Sequence, residues 1–86
     1  MPVVLGVDGF VCRFYAGDHD PPHVHVFYSG SPAVIELDSG RARSNGLRTP
    51  DLAKARALVQ AHRDELRAAW AAWQMKTKGE NEHQDS

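Results

Sequence analysis

Three of the chain's five histidines and two carboxylates fall within the eight residues Asp18-His19-Asp20-Pro21-Pro22-His23-Val24-His25. Packing gives no reason to gather so many titratable groups, so any chemistry of this chain belongs here. Such a set supports three kinds of work. A histidine can act as general acid or base while a carboxylate fixes its tautomer. Two histidines at i and i+2 on a strand can both reach one divalent transition metal, giving a set of His19, His23 and His25, or an aspartate in place of His19, with positions left open. The loop spacing matches no established zinc signature. The same groups can also form a hydrogen-bonded network that stiffens the loop, or a face that docks a partner protein. The residues alone leave all three open.

The elements that must position this block are legible from hydrophobic period. Residues 3–7 are apolar, and Asp8-Gly9 follows directly, a two-residue hairpin signal because its turn needs positive φ at both positions. A second strand over 10–16 places Phe10, Cys12 and Phe14 on one face and Val11, Arg13 and Tyr15 on the other. Gly17 to Pro22 is a loop. A third strand runs over 23–28, with a turn at Ser29-Gly30-Ser31-Pro32 and a fourth strand over 33–38. A short edge strand over 41–44 follows Ser39-Gly40. If Val24 and Val26 join Phe10, Cys12 and Phe14 in the core, His23, His25, Arg13, Tyr15 and Glu36 share the opposite, polar face. His19 and Asp18 then stand at its rim.

From Thr49 the period becomes helical. Thr49 suits an N-cap, Pro50 the first helical position and Asp51 the positive end of the dipole. Leu52, Ala55, Val59, His62, Leu66, Ala69 and Trp73 form one stripe, widened by Leu58 and Trp70, and Gly79 reads as the stop. A helix of about 26 residues would be roughly 39 Å long, against about 20 Å for a six-residue strand. The stripe therefore either breaks in two or overhangs the sheet and meets a partner, with Trp73 on the overhang. The expected fold is α+β: a small, mainly antiparallel sheet of four to five short strands with a C-terminal helix on one face. Residues 1–78 form one domain and 79–86 a disordered polar tail.

A chain of 86 residues with 42% hydrophobic content folds around one modest core, so self-association or a small partner protein is expected. The net charge of −1 gives no electrostatic footprint for nucleic acid. Neither an apolar run of about 20 residues nor a basic segment leading into an apolar one is present, which predicts a soluble, cytoplasmic protein with no membrane partner. Cys12 is the only cysteine and reads as a core residue. Arg41, Arg43 and Arg48 make the one locally basic stretch and read first as a solvated edge, with contact to phosphate as the alternative.

The block Asp18-His-Asp-Pro-Pro-His-Val-His25, preceded by Phe14-Tyr15, resembles a family of small bacterial proteins known as domain of unknown function 4160. The resemblance rests on Asp18, His19, Pro21, Pro22, His23 and His25, then Ile35 and Glu36, then His62, Glu65, Leu66 and Trp70. It covers roughly residues 4–73. It implies a gene often paired with a second small family, domain of unknown function 2442, in a toxin–antitoxin-like module, and it implies that His62 supports the site. His23-Val24-His25-Val26-Phe27 is also similar to the alternating motif of nucleotide-binding histidine-triad proteins, with Phe27 where the third histidine would stand. The preferred expectation is a histidine-dependent activity on a phosphate-containing or RNA substrate. In it His23 or His25 is the acid or base, Glu36 or Asp18 orients it, Arg13 holds the anion, and Tyr15, His19 and His62 assist binding. A non-catalytic docking module and a metal site are the alternatives.

Overall fold

The computed structural model describes the backbone of residues 3–85 and the side chains of residues 3–76. Five strands form one antiparallel meander in chain order: β1 (Val3–Val7), β2 (Phe10–Arg13), β3 (His23–Tyr28), β4 (Ser31–Glu36) and β5 (Ala42–Asn45). Two helices follow, α1 (Thr49–Ala61) and α2 (Arg63–Asp85). This is the expected α+β fold.

Asp8 and Gly9 both have positive φ, 52° and 83°, as the Asp-Gly hairpin requires. Ser29 and Gly30 repeat the device at 49° and 80°, so the second hairpin turns in two residues rather than the expected four. Ser31 and Pro32 thereby enter β4. Pro32 pairs with Phe27 one step beyond the closing pair Tyr28–Ser31, where its nitrogen faces away from β3 and its missing donor costs no ladder bond. β2 stops at Arg13, short of the expected residue 16. The Asp18 carboxylate accepts from the Tyr15 backbone N–H at 2.9 Å, and Asp18 N–H donates to the Tyr15 carbonyl at 3.2 Å. This local turn diverts the chain from the ladder.

Phe10, Cys12 and Phe14 lie with Val24, Val26, Ala33, Ile35 and Leu37 on the covered face, as alternation demands. Ala55 and Val59 of α1 and Leu66 and Trp70 of α2 close the core over them. Phe14 and Trp70 meet edge to face with centroids 5.3 Å apart. Cys12 is fully buried and, with no compensating partner, its thiol is pushed up to about 11, so it is a packing residue.

The long stripe breaks at His62, where φ is −108°. Two helices of 13 and 23 residues replace the single stripe, and α2 alone, about 35 Å long, still outruns a six-residue strand of about 20 Å. The N-cap is Arg48 rather than Thr49, without a side-chain cap bond; Thr49 and Pro50 already lie inside the helix. α2 continues through Gly79 to Asp85, past the expected stop. The side chains of the expected tail lie outside the described residues. No helix among the described residues is long and apolar enough to cross a membrane.

Candidate functional site

The register puts His23 opposite Glu36, and His25 opposite both Arg13 and Val34. His25 and Glu36 therefore share the face away from Phe14, Val24 and Ile35. His23 belongs to the same side but is only 6% exposed, where simple alternation left it open. The reason is local. β2 ends at Arg13, so no strand residue faces His23, and at that gap Trp70 of α2 meets the imidazole with centroids 5.2 Å apart.

Asp18 is the hub. Its Oδ1 lies 3.3 Å from His23 Nε2 and 3.2 Å from His25 Nε2. Its Oδ2 is occupied by the Tyr15 backbone N–H, which leaves Oδ1 aimed at the two rings. Burial by itself would raise the Asp18 pKa. The Tyr15 N–H, the His25 hydrogen bond and the charges of His25 and His23 outweigh that and lower it, so the carboxylate stays ionised at neutral pH.

The surrounding groups fix this hub in place. Tyr15 lies flat on His25, centroids 4.1 Å apart and planes 10° from parallel. Trp73 Nε1 donates to the Tyr15 carbonyl at 3.2 Å, and Gln74 Nε2 donates to the Asp18 carbonyl at 3.0 Å. Trp70, Trp73 and Gln74 sit three and four residues apart, so one face of α2 touches His23 and both ends of the Tyr15–Asp18 turn. Trp73 thus packs on its own chain instead of standing on an overhang.

Ligand atoms of Asp18, His23 and His25 all lie within 4.8 Å of one another. Metal bonds of about 2.1 Å at angles of about 90–110° place neighbouring ligand atoms about 3.0–3.4 Å apart. Both carboxylate–imidazole distances fall in that range. His23 Nδ1 lies 3.0 Å from the Pro21 carbonyl, the outer contact that sets a metal-ligating ring's tautomer.

The other expected residues are placed differently. His19 is exposed and is not among the three. Glu36 accepts from Ser39 Oγ at 2.7 Å and lies 3.9 Å from Arg43 Nε, so Asp18 is the carboxylate on the histidines. Arg13 and Tyr15 line a separate depression with Val11 and Phe27. His62 pairs with Glu65 at 3.1 Å at the helix break. Arg43, read from sequence as solvated edge, reaches His23 Nδ1 at 3.0 Å.

A family model described as Domain of unknown function (DUF4160) matches residues 9–71. The chain belongs to that family. The match spans β2 to β5, the whole Asp18–His25 block, α1 and α2 as far as Ala71, and so includes the three clustered residues. Trp73 and Gln74 lie just beyond it. No curated protein and no solved structure matches the chain.

Proposed function

We propose that this protein holds a divalent transition metal on Asp18, His23 and His25, and that the metal supports its activity within a two-gene, toxin–antitoxin-like module. The observation that carries the metal reading is the convergence of two imidazole Nε2 atoms on one carboxylate oxygen at 3.3 and 3.2 Å. An acid–base mechanism needs one carboxylate behind one histidine, with the other ring nitrogen facing substrate. His25 alone would meet that condition, with Nε2 on Asp18; the metal reading is favoured because a second Nε2, from His23, converges on the same oxygen. Two nitrogens and one oxygen leave positions for water or a ligand, which a bound metal would polarise. The pairing with a second gene rests on the family resemblance alone.

Calorimetric titration of nickel, zinc and manganese at pH 7.5 tests the site. One equivalent should bind, and binding should weaken in acid, because the ligating imidazoles must be neutral. No heat with any of the three removes the metal reading. A growth defect on expression, abolished by His25→Ala in a folded protein, supports the module role; unchanged growth counts against it.

A second reading has its own support. Among the described residues no buried side-chain polar atom lacks a partner, so the histidine–aspartate network is complete without an ion. A non-catalytic module docking a partner through this face would need nothing more. It is favoured if no metal binds and a second protein protects His25 from exchange.

A further inference from the structure

We propose that Arg43 and Ser44 form a subsite for a phosphoryl group beside the histidines. The proposal rests on the reading of the histidine–aspartate cluster as the functional site and names a ligand class for it.

The key is a bulge. β5 pairs with β4 through Ala42–Ile35 and Ser44–Val34, so Arg43 is an extra residue opposite no partner. In an unbroken strand Arg43 and Ser44 would point to opposite faces. A bulge re-aims side chains, and both now line one depression of about 320 Å³ with His23, His25 and Val34. A guanidinium, a hydroxyl and the two imidazoles thus border a single space.

Arg43 is poised rather than locked. Its side chain is 43% exposed, with Nε 3.9 Å from Glu36 Oε2 and Nη1 3.0 Å from His23 Nδ1. A guanidinium only donates, so the second contact holds while Nδ1 carries no proton. The Pro21 carbonyl, also 3.0 Å from Nδ1, needs that nitrogen protonated. One nitrogen serves one of them at a time. A guanidinium has five N–H groups, and the contacts to Glu36 and His23 use only Nε and Nη1.

The donors match a tetrahedral oxyanion. A guanidinium binds two phosphate oxygens through paired N–H groups, and the Ser44 hydroxyl can donate to a third. A carboxylate, with two oxygens, would leave one of these unused. Glu36, the anionic group nearest Arg43, is held by Ser39. Arg13, the anion holder suggested by sequence, lines a different depression.

The test is calorimetric titration of inorganic phosphate, a nucleoside monophosphate and a dinucleotide into nickel-loaded wild type, Arg43→Ala, Arg43→Lys and Ser44→Ala. A nickel titration of each protein comes first. Phosphate should bind wild type, weaken about tenfold or more in Arg43→Ala, recover partly in Arg43→Lys and weaken less in Ser44→Ala. Monophosphate bound in preference to the dinucleotide identifies a monoester ligand, and the reverse a diester; Arg43 dependence supports the subsite in either case. Nickel bound normally with equal phosphate affinity in wild type and Arg43→Ala overturns it. If wild type takes no nickel, the metal reading fails separately, and phosphate added to the nickel-free protein decides the subsite: Arg43-dependent binding keeps it and none removes it. Should Arg43→Ala not fold, Arg43→Lys and Ser44→Ala carry the comparison.

Discussion

Gln74 donates its side-chain amide to the Asp18 carbonyl oxygen at 3.0 Å, across 56 residues of sequence. With Trp73 on the Tyr15 carbonyl, it fastens to a helix the turn that aims Asp18 at the histidines. A loop carboxylate is thereby placed with the rigidity of secondary structure, the condition for a site that binds without rearranging.

The first prediction follows from that tether. Gln74→Ala removes one hydrogen bond and should cost about 0.5–1.5 kcal/mol of stability. Trp73→Phe keeps most of the ring while deleting its N–H and should cost a similar amount. Metal affinity should fall in both, because Asp18 Oδ1 is no longer held in register with the rings. Denaturant unfolding and nickel titration on the same samples check this. Stability lost with metal affinity intact would make the tether merely structural.

The second prediction concerns acid. Asp18 has its folded pKa lowered below the ordinary aspartate value of 3.8, so folding favours its ionised form. Its contribution to stability is therefore fully present above the unfolded value and is lost as pH falls through the lower folded value. Metal-free wild type should lose stability over that acidic range more steeply than Asp18→Asn, in which this group cannot titrate. Urea midpoints from pH 6 down to pH 2 give the two slopes. Parallel curves would show that the Asp18 charge is not what the turn and the histidines stabilise.

Particular residues show where sequence reading reached and where it ended. Phe10, Cys12, Phe14, Val24 and Val26 declare their face by period two, and Asp8-Gly9 declares its turn by the φ values it tolerates. Those signals are local, and the sheet follows from them. His19 and Asp18 are neighbours in the chain, and only the turn closed on Tyr15 decides which faces His23. Arg43 was unreadable for a related reason: its direction comes from one extra residue in a ladder, and no composition marks a bulge. Trp70, Trp73 and Gln74 have visible helical spacing, but their target is set by how α2 crosses the sheet end.

The third prediction separates core from site. Trp70 contacts both Phe14 and His23 and is buried. Trp70→Ala should cost about 3–5 kcal/mol, a large part of what holds a chain of this size. Trp70→Phe should restore most of that stability, because an aromatic ring still fills the space. Thermal unfolding followed by circular dichroism measures both variants. A Trp70→Ala loss below about 1 kcal/mol would contradict the packing described.

The last prediction sets the two candidate ligand sets against each other. Spacing offered His19 or an aspartate beside His23 and His25; the structure gathers Asp18, His23 and His25 and leaves His19 exposed. His19→Ala should therefore bind nickel as wild type does, and Asp18→Ala and His25→Ala should each weaken binding by at least the roughly 10–100-fold that losing an outer contact to a ligand costs. His23 supports Trp70 as well, so His23→Ala is read only beside an unfolding curve that shows the fold intact. His23→Gln offers a milder version that keeps a polar group against Arg43. Calorimetry on wild type and the five variants, at pH 7.5 and after chelation and dialysis, gives the comparison. If His19→Ala loses the metal while Asp18→Ala retains it, the loop closes around an ion in a way this turn does not foreshadow, and Asp18 reverts to a partner that only braces the two imidazoles.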